Sequence, residues 1–156
     1  MINFKIALTA LKKIFVASSA AAKTQAKKFI EGCSAGGVLF VPWWDNFTPG
    51  RTLLEGLDAL RTEVDGAVLL LSQESNSEIR NRVQPIPNLN VLFEFGFFYG
   101  HFQKERVAII RYGEVYLPSD LLGYVHIQGS KHFKRSGGVP VGKKTKNNFE
   151  RWLNSW

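Results

Sequence analysis

Ala67-Val68-Leu69-Leu70-Leu71 is a continuous apolar run with no alternation of polar and apolar positions. That is the pattern of a central parallel strand covered on both faces. Shorter runs on either side carry the same signal. Upstream, Lys12-Lys13-Ile14-Phe15-Val16-Ala17 ends at Ser18-Ser19, and Val38-Leu39-Phe40-Val41 ends at Pro42; both read as strands. Between them, Ala20 to Gly32 spaces Ala22, Ala26, Phe29 and Ile30 along one helical face and stops at a glycine. Leu53, Leu54, Leu57 and Leu60 mark a second amphipathic helix before the central strand. Downstream come a polar loop from Ser72 to Asn88, a helix over Val91 to Phe102, a strand over Arg106 to Arg111 and a short strand near Tyr124 to Ile127. Strand and helix alternate throughout, which predicts an α/β fold: a flavodoxin-like, doubly wound parallel sheet of five strands.

Composition bounds the rest. The chain has 156 residues, 45% of them hydrophobic, enough to bury one core without disulfides or metal. No apolar stretch reaches the roughly 18 residues a membrane span requires, and Met1 to Leu11 reads as a short leading helix or strand instead of a secretion signal. Cys33 is the only cysteine, which excludes a cysteine zinc site and fits the reducing cytoplasm. It lies in Glu31-Gly32-Cys33-Ser34 with no nearby His, as an inert filler at a helix end would. The net charge of +7 is segregated: Met1 to Ile30 holds six lysines and no acid, the middle is acidic, and the segment from Lys131 is again basic. Such ends could meet an acidic partner, but they lack the interleaved aromatics of a single-strand nucleic-acid binder. From Gly129 the composition turns to Lys, Gly, Ser and Asn. The expected organisation is a folded core domain over 1–130, then a basic segment and terminal helix over 131–156.

In an open α/β sheet the ligand site lies outside the C-terminal ends of the strands. Here those loops contain Ser18, Ser19, Trp43, Trp44, Asp45, Phe47, Glu74, Pro118 and Asp120. Ser18 and Ser19 before a helix suit a phosphate or are ordinary caps. Trp43, Trp44 and Phe47 either stack on a flat ligand or cover the sheet edge. There is no Walker loop, and no GxGxxG follows the first strand, so a P-loop nucleotidase and a dinucleotide oxidoreductase are unsupported.

Glu94 is the sharper feature. It is the only acid in the run Asn90 to Phe102, which has eight apolar side chains in its last twelve positions. A helix this apolar is largely buried, and a carboxylate removed from water loses several kcal/mol of solvation unless it is paired or hydrogen-bonded. Glu94 therefore either pairs with an Arg or caps first-turn N–H groups, or it holds a sugar hydroxyl or a developing cation in a cleft. Gly96 and Gly100, four apart, would let this helix approach the sheet closely. His101, a lone histidine seven residues on, reads as a satisfied surface or core residue.

Asn90-Val91-Leu92-Phe93-Glu94-Phe95-Gly96 with Gly100 resembles the N-V-x-F-E-x-G-x-x-x-G signature of the TIR-like domains of bacterial antiphage defence, found alone or fused to cyclic-nucleotide sensors such as the bacterial STING proteins. The first strand with Ser18-Ser19, a Trp followed by Phe47, Asp65 before the third strand, and Leu117-Pro118-Ser119-Asp120-Leu121-Leu122-Gly123 fall in the family's order over about Lys12 to Ile127. Two positions depart from it: Ala20-Ala21-Ala22-Lys23 stands where the family often has an acid, and Pro87-Asn88-Leu89-Asn90 where it often has an Arg.

The resemblance implies an NAD+ glycohydrolase acting in antiphage defence, with Glu94 as the catalytic glutamate and Ser18, Ser19, Trp43, Trp44, Phe47 and Asp120 contacting substrate. It implies no cofactor or metal, NAD+ itself being the substrate. As partners it implies self-association into dimers or filaments and a cyclic-nucleotide-sensing regulatory domain or protein, with no membrane and no nucleic acid. Two further readings stand beside it: a non-catalytic TIR adaptor acting by self-association, and a nucleotide-binding sensor in which Glu94 reads a ribose without cleaving it.

Overall fold

A computed structural model describes residues 11–34, 37–46, 49–124, 126–131 and 137–156. The expected leading element over residues 1–10 and the candidate residue Phe47 lie outside the described residues.

Among the described residues, seven strands and four α-helices follow one another as β1 (Lys12–Ala17), α1 (Lys23–Cys33), β2 (Val38–Pro42), α2 (Leu53–Glu63), β3 (Gly66–Ser72), β4 (Ser75–Ile79), β5 (Arg82–Ile86), α3 (Leu89–His101), β6 (Val107–Tyr112), β7 (His126–Gln128) and α4 (Lys143–Leu153). Five strands form one sheet in the order β2-β1-β3-β6-β7, every pair parallel. This is the doubly wound order expected from the alternation of strand and helix, with β3 at its centre. All seven residues of β3 are buried, as a strand covered on both faces must be.

The two faces carry separate cores. Phe15, Ala17, Leu69, Leu71 and Ile109 point to the side covered by Leu57 and Leu60 of α2 and Val91, Phe95 and Phe98 of α3. Ile14, Val16, Val68, Leu70 and Ile110 point to the other side, covered by Ala26, Phe29 and Cys33 of α1 and Phe149, Trp152 and Leu153 of α4. The period-2 alternation of side chains along each strand sorts the residues between faces. The terminal helix thus docks on the sheet. Thr145 Oγ1 donates to the Gln128 carbonyl (2.5 Å), and the Gln25 amide exchanges two hydrogen bonds with the backbone of Val139 (2.9 and 2.8 Å).

Local chemistry sets the element ends. Thr52 and Glu55 form a reciprocal capping box at the start of α2, the Thr-x-x-Glu signature satisfying two free N–H groups. The inward face of α2 is narrower than its leucine spacing suggests: Leu57 and Leu60 are buried, while Leu53 and Leu54 in the first turn are exposed. Asp65 locks the entry to β3, accepting from Lys13 N through Oδ2 and donating its own N–H to the Lys13 carbonyl, both at 2.8 Å. Gly66 follows because a Cβ there would stand 2.6 Å from the Arg106 carbonyl oxygen. Cys33 is buried at the end of α1, and burial pushes its thiol up to about 12; it is a filler.

The segment between β3 and α3 is not the irregular loop its polarity suggests. β4 and β5 pair antiparallel through a two-residue turn, Arg80-Asn81, with both residues at positive φ (52° and 61°). This is the geometry that matches strand twist in tight hairpins, usually supplied by Asn-Gly. An arginine in the left-handed region costs about 1 kcal/mol relative to glycine.

Candidate active site

Asn88 caps α3, its side-chain oxygen accepting from Asn90 N (2.9 Å) and Val91 N (3.3 Å). Glu94 therefore lies in the second turn, past the free N–H groups, and first-turn capping does not explain it. The buried residues of α3 are Val91, Glu94, Phe95 and Phe98, the i, i+3, i+4, i+7 stripe of a helix laid on a sheet. Glu94 is 7% exposed. Among the described residues its carboxylate has no hydrogen bond or ion pair. Desolvation raises it from the usual 4.5 to about 7. Such a group is divided between its neutral and charged forms near neutral pH, and its charged form gains most by meeting a cation.

Gly96 and Gly100 fall on the opposite side of α3 from this stripe. Both are exposed, and a Cβ at either position would meet nothing within 4 Å. They do not bring the helix close to the sheet. The stripe occupies four of thirteen positions in a helix that is apolar nearly all round, so the sequence left its orientation open. His101 is exposed at the end of α3, 3.4 Å from Arg61 through Nδ1.

At the C-terminal ends of β1, β2 and β3 the predicted residues meet. The Trp43 indole Nε1–H donates to Ser18 Oγ (2.9 Å), and Ser18 Oγ donates to the Ser19 carbonyl (3.1 Å). Ser19 Oγ accepts from Ala22 N (3.1 Å) and donates to the Glu74 carboxylate. Ser19 thus braces the turn into α1, and the two serines tie β1 to the segments after β2 and β3. Trp43 packs against the same core as α3, on the Glu94 face of the sheet. Trp44 packs against the opposite core, with the ring centroids of the pair 5.9 Å apart. The Lys23 ammonium sits 5.8 Å from the Trp43 ring and 5.3 Å from the Trp44 ring, within cation–π range. Asp120 is exposed in the 3-10 turn Ser119–Leu121, away from these contacts.

Glu74 and Lys23 take part in this cluster without having been assigned a role from sequence. Glu74 lies two residues beyond the end of β3, where the strand-end rule looks, and supplies a carboxylate next to the serines although Ala20-Ala21-Ala22 has none. Lys23 opens α1 four residues after Ser19, a spacing that returns it to the same end of the sheet. No group of three His, Cys, Asp or Glu able to hold a metal occurs among the described residues. No helix among them is long and apolar enough to cross a membrane.

Comparison with known proteins places this arrangement. Residues 13–131 match the family model described as CAP12/Pycsar effector protein, TIR domain. The chain is 29% identical over 126 residues to CD-NTase-associated protein 12 of Sphingobacterium faecium, covering 81% of this chain and 38% of that protein. It is 33% identical over 92 residues to the Pycsar effector protein PaPycTIR of Pseudomonas aeruginosa, covering 56% and 30%. Protein YuaY of Escherichia coli K12 is 30% identical over 104 residues, covering 60% and 35%. The chain thus spans between a third and two fifths of the length of the first two relatives in coverage and less of PaPycTIR. The matched interval holds the parallel sheet except Lys12 at the start of β1, both serines and Glu94. The chain belongs to the TIR domain family of the CAP12/Pycsar effector proteins.

Proposed function

We propose that this domain is an NAD+ glycohydrolase that releases nicotinamide and ADP-ribose as an effector of antiphage defence, with Glu94 as its catalytic carboxylate. The observation that carries the proposal is a nearly buried glutamate on the sheet-facing stripe of α3, without a hydrogen bond or ion pair among the described residues, in a chain of the CAP12/Pycsar TIR family. Nicotinamide in NAD+ is a pyridinium cation, so it departs as a neutral molecule when the C1′–N bond breaks and its electron pair goes to nitrogen. Positive charge then gathers on the ribose, as in glycoside hydrolysis, but without a strong general acid. An ionised carboxylate in a poorly solvated site stabilises that charge far better than it would in water. Water completes the reaction by bonding to C1′ and releasing a proton, which Glu94 can accept.

Trp43 stands on the Glu94 face of the sheet and is the aromatic residue suited to flank nicotinamide or adenine; Trp44 faces the other side. A phosphate at Ser19 would have to displace Glu74, with which the hydroxyl is bonded. The same proposal includes self-association into dimers or filaments that completes the site, and control by a cyclic-nucleotide-sensing domain or protein. The relatives' designations as a CD-NTase-associated protein and a Pycsar effector support that input. The substrate pool is cytoplasmic. Nicotinamide release by concentrated protein, lost on Glu94→Ala and on Glu94→Gln, is the expected result. Undiminished cleavage by the alanine variant would remove Glu94 from the chemistry.

A further inference from the structure

The β4–β5 hairpin and the stretch after β6 enclose a cleft of about 410 Å³ lined by Arg80, Gln84, Arg111, Glu114, Tyr116 and Ser119, among others. A second hollow of about 350 Å³ continues it along the hairpin and adds Arg82. Each is of the size of small-molecule sites, roughly 300–1,000 Å³. The walls are fixed by backbone pairing: Tyr116 N donates to the Pro85 carbonyl at 2.6 Å, joining the stretch after β6 to the hairpin. The floor residues Val115 and Leu117 belong to the same core as Val91 and Phe95, which flank Glu94 on α3. The cleft therefore opens on the Glu94 face, beyond the C-terminal end of β6, where α/β sheets place ligands.

Its electrostatics are one-sided. Three arginines face one glutamate. Among the described residues Arg80 and Arg82 have no ion pair, and Arg111 meets only Glu114, at 3.4 Å, while its Nε is buried without a hydrogen-bond partner. Arg80 is held at the hairpin tip by a positive-φ backbone. Guanidinium groups in this number match the oxygens of adjoining phosphates, and Tyr116 with Leu122 offers a surface for a base or ribose. The Ser18–Ser19 end is the poorer anion site, because the Glu74 carboxylate already occupies Ser19.

We propose that the hairpin cleft binds the diphosphate of a nucleotide through Arg80, Arg82 and Arg111. The nucleotide is either the ADP half of the substrate, an assignment that rests on the NAD+ reading, or a separate nucleotide diphosphate that occupies the cleft on its own.

The test is calorimetric titration of ADP-ribose into the full chain bearing Glu94→Gln, which needs no turnover. ADP-ribose is expected to bind. Arg80→Glu with Arg82→Glu should weaken it at least tenfold, and Glu114→Gln should tighten it by releasing Arg111, a gain that damage to the hairpin would not produce. Absence of binding at millimolar ADP-ribose, or affinity unchanged by both charge alterations, would overturn the proposal. Steady-state cleavage by the Arg80→Glu, Arg82→Glu chain with Glu94 intact then separates the sources. A raised KM for NAD+ at similar kcat assigns the cleft to the substrate. Unchanged KM with lost ADP-ribose binding assigns it to a separate nucleotide. If the parent chain cleaves no NAD+, the enzyme reading fails while the calorimetric result still stands.

Discussion

Replacing Glu94 by glutamine should make the protein more stable at neutral and alkaline pH while abolishing its proposed activity. Glu94 is 7% exposed, has no partner among the described residues, and titrates near 7 in the fold against its usual 4.5. Between those two values the folded chain binds more protons than the unfolded one, so stability falls as pH rises. Below about 4.5 the side chain is protonated in both states and costs nothing on this account. Above about 7 it is charged in both, and the folded state bears the full cost of burying the charge. At about 1.4 kcal/mol per pH unit, the interval from 4.5 to about 7 corresponds to about 3 kcal/mol. Glutamine has nearly the same shape and no charge, so it should recover most of that. Urea denaturation of both proteins, followed by circular dichroism at pH 4.5, 6 and 8, measures the difference. The expected advantage of Glu94→Gln grows with pH and approaches about 3 kcal/mol at pH 8. A difference that does not change with pH would show that Glu94 is solvated or paired in the fold, and a variant less stable at pH 8 would reverse the reasoning outright. Stability given up for function at one residue is the usual bargain of active sites.

Two further outcomes follow from the same structure. If ionised Glu94 stabilises the ribose cation, kcat/KM for nicotinamide release should rise from acid pH through a midpoint near 7; the limb in kcat should lie lower, because the bound pyridinium favours the charged carboxylate. A profile flat across that range, measured between pH 5 and 9, would detach catalysis from this group. Trp152, 4% exposed in the core beneath α4, should cost about 3–5 kcal/mol when changed to alanine, read as a lowered urea midpoint; a loss under 1 kcal/mol would mean that α4 is not integral to the fold.

Much of the architecture was legible because parallel strands buried on both faces must be continuously apolar. Ala67 to Leu71 gave the centre of the sheet on that ground, and the shorter runs at Ile14 and Val38 took their places beside it. The hairpin was hidden for the converse reason: among the described residues β4 and β5 pair in a sheet only with each other, Ser75–Ile79 is polar, Pro85 interrupts Arg82–Ile86, and Arg80-Asn81 lacks the usual glycine. Glu94 stood out as the one acid among aromatics. Its orientation did not, since Phe93 and Phe97 offer a second apolar side to the helix, and only packing selects Val91, Glu94, Phe95 and Phe98 as the inner stripe. The Ser18, Ser19 and Trp43 contacts involve partners from segments after three different strands, and no local pattern encodes which hydroxyl meets which ring.

Trp156 stands at the pole of the sheet opposite the serines. Its ring lies 3.2 Å from where a Cβ on Gly66 would be, and under the Lys12 ammonium and the Arg106 guanidinium at 4.1 and 5.3 Å, while Lys12 Nζ donates to the Leu153 carbonyl at 2.6 Å. β1, β3 and β6 all begin here, so the Trp156 ring covers this edge of the sheet. Polypeptide joined beyond Trp156 would depart from this base, with the thickness of the sheet's strands between it and the serines. Anything attached there would leave the strand ends that carry the serines uncovered.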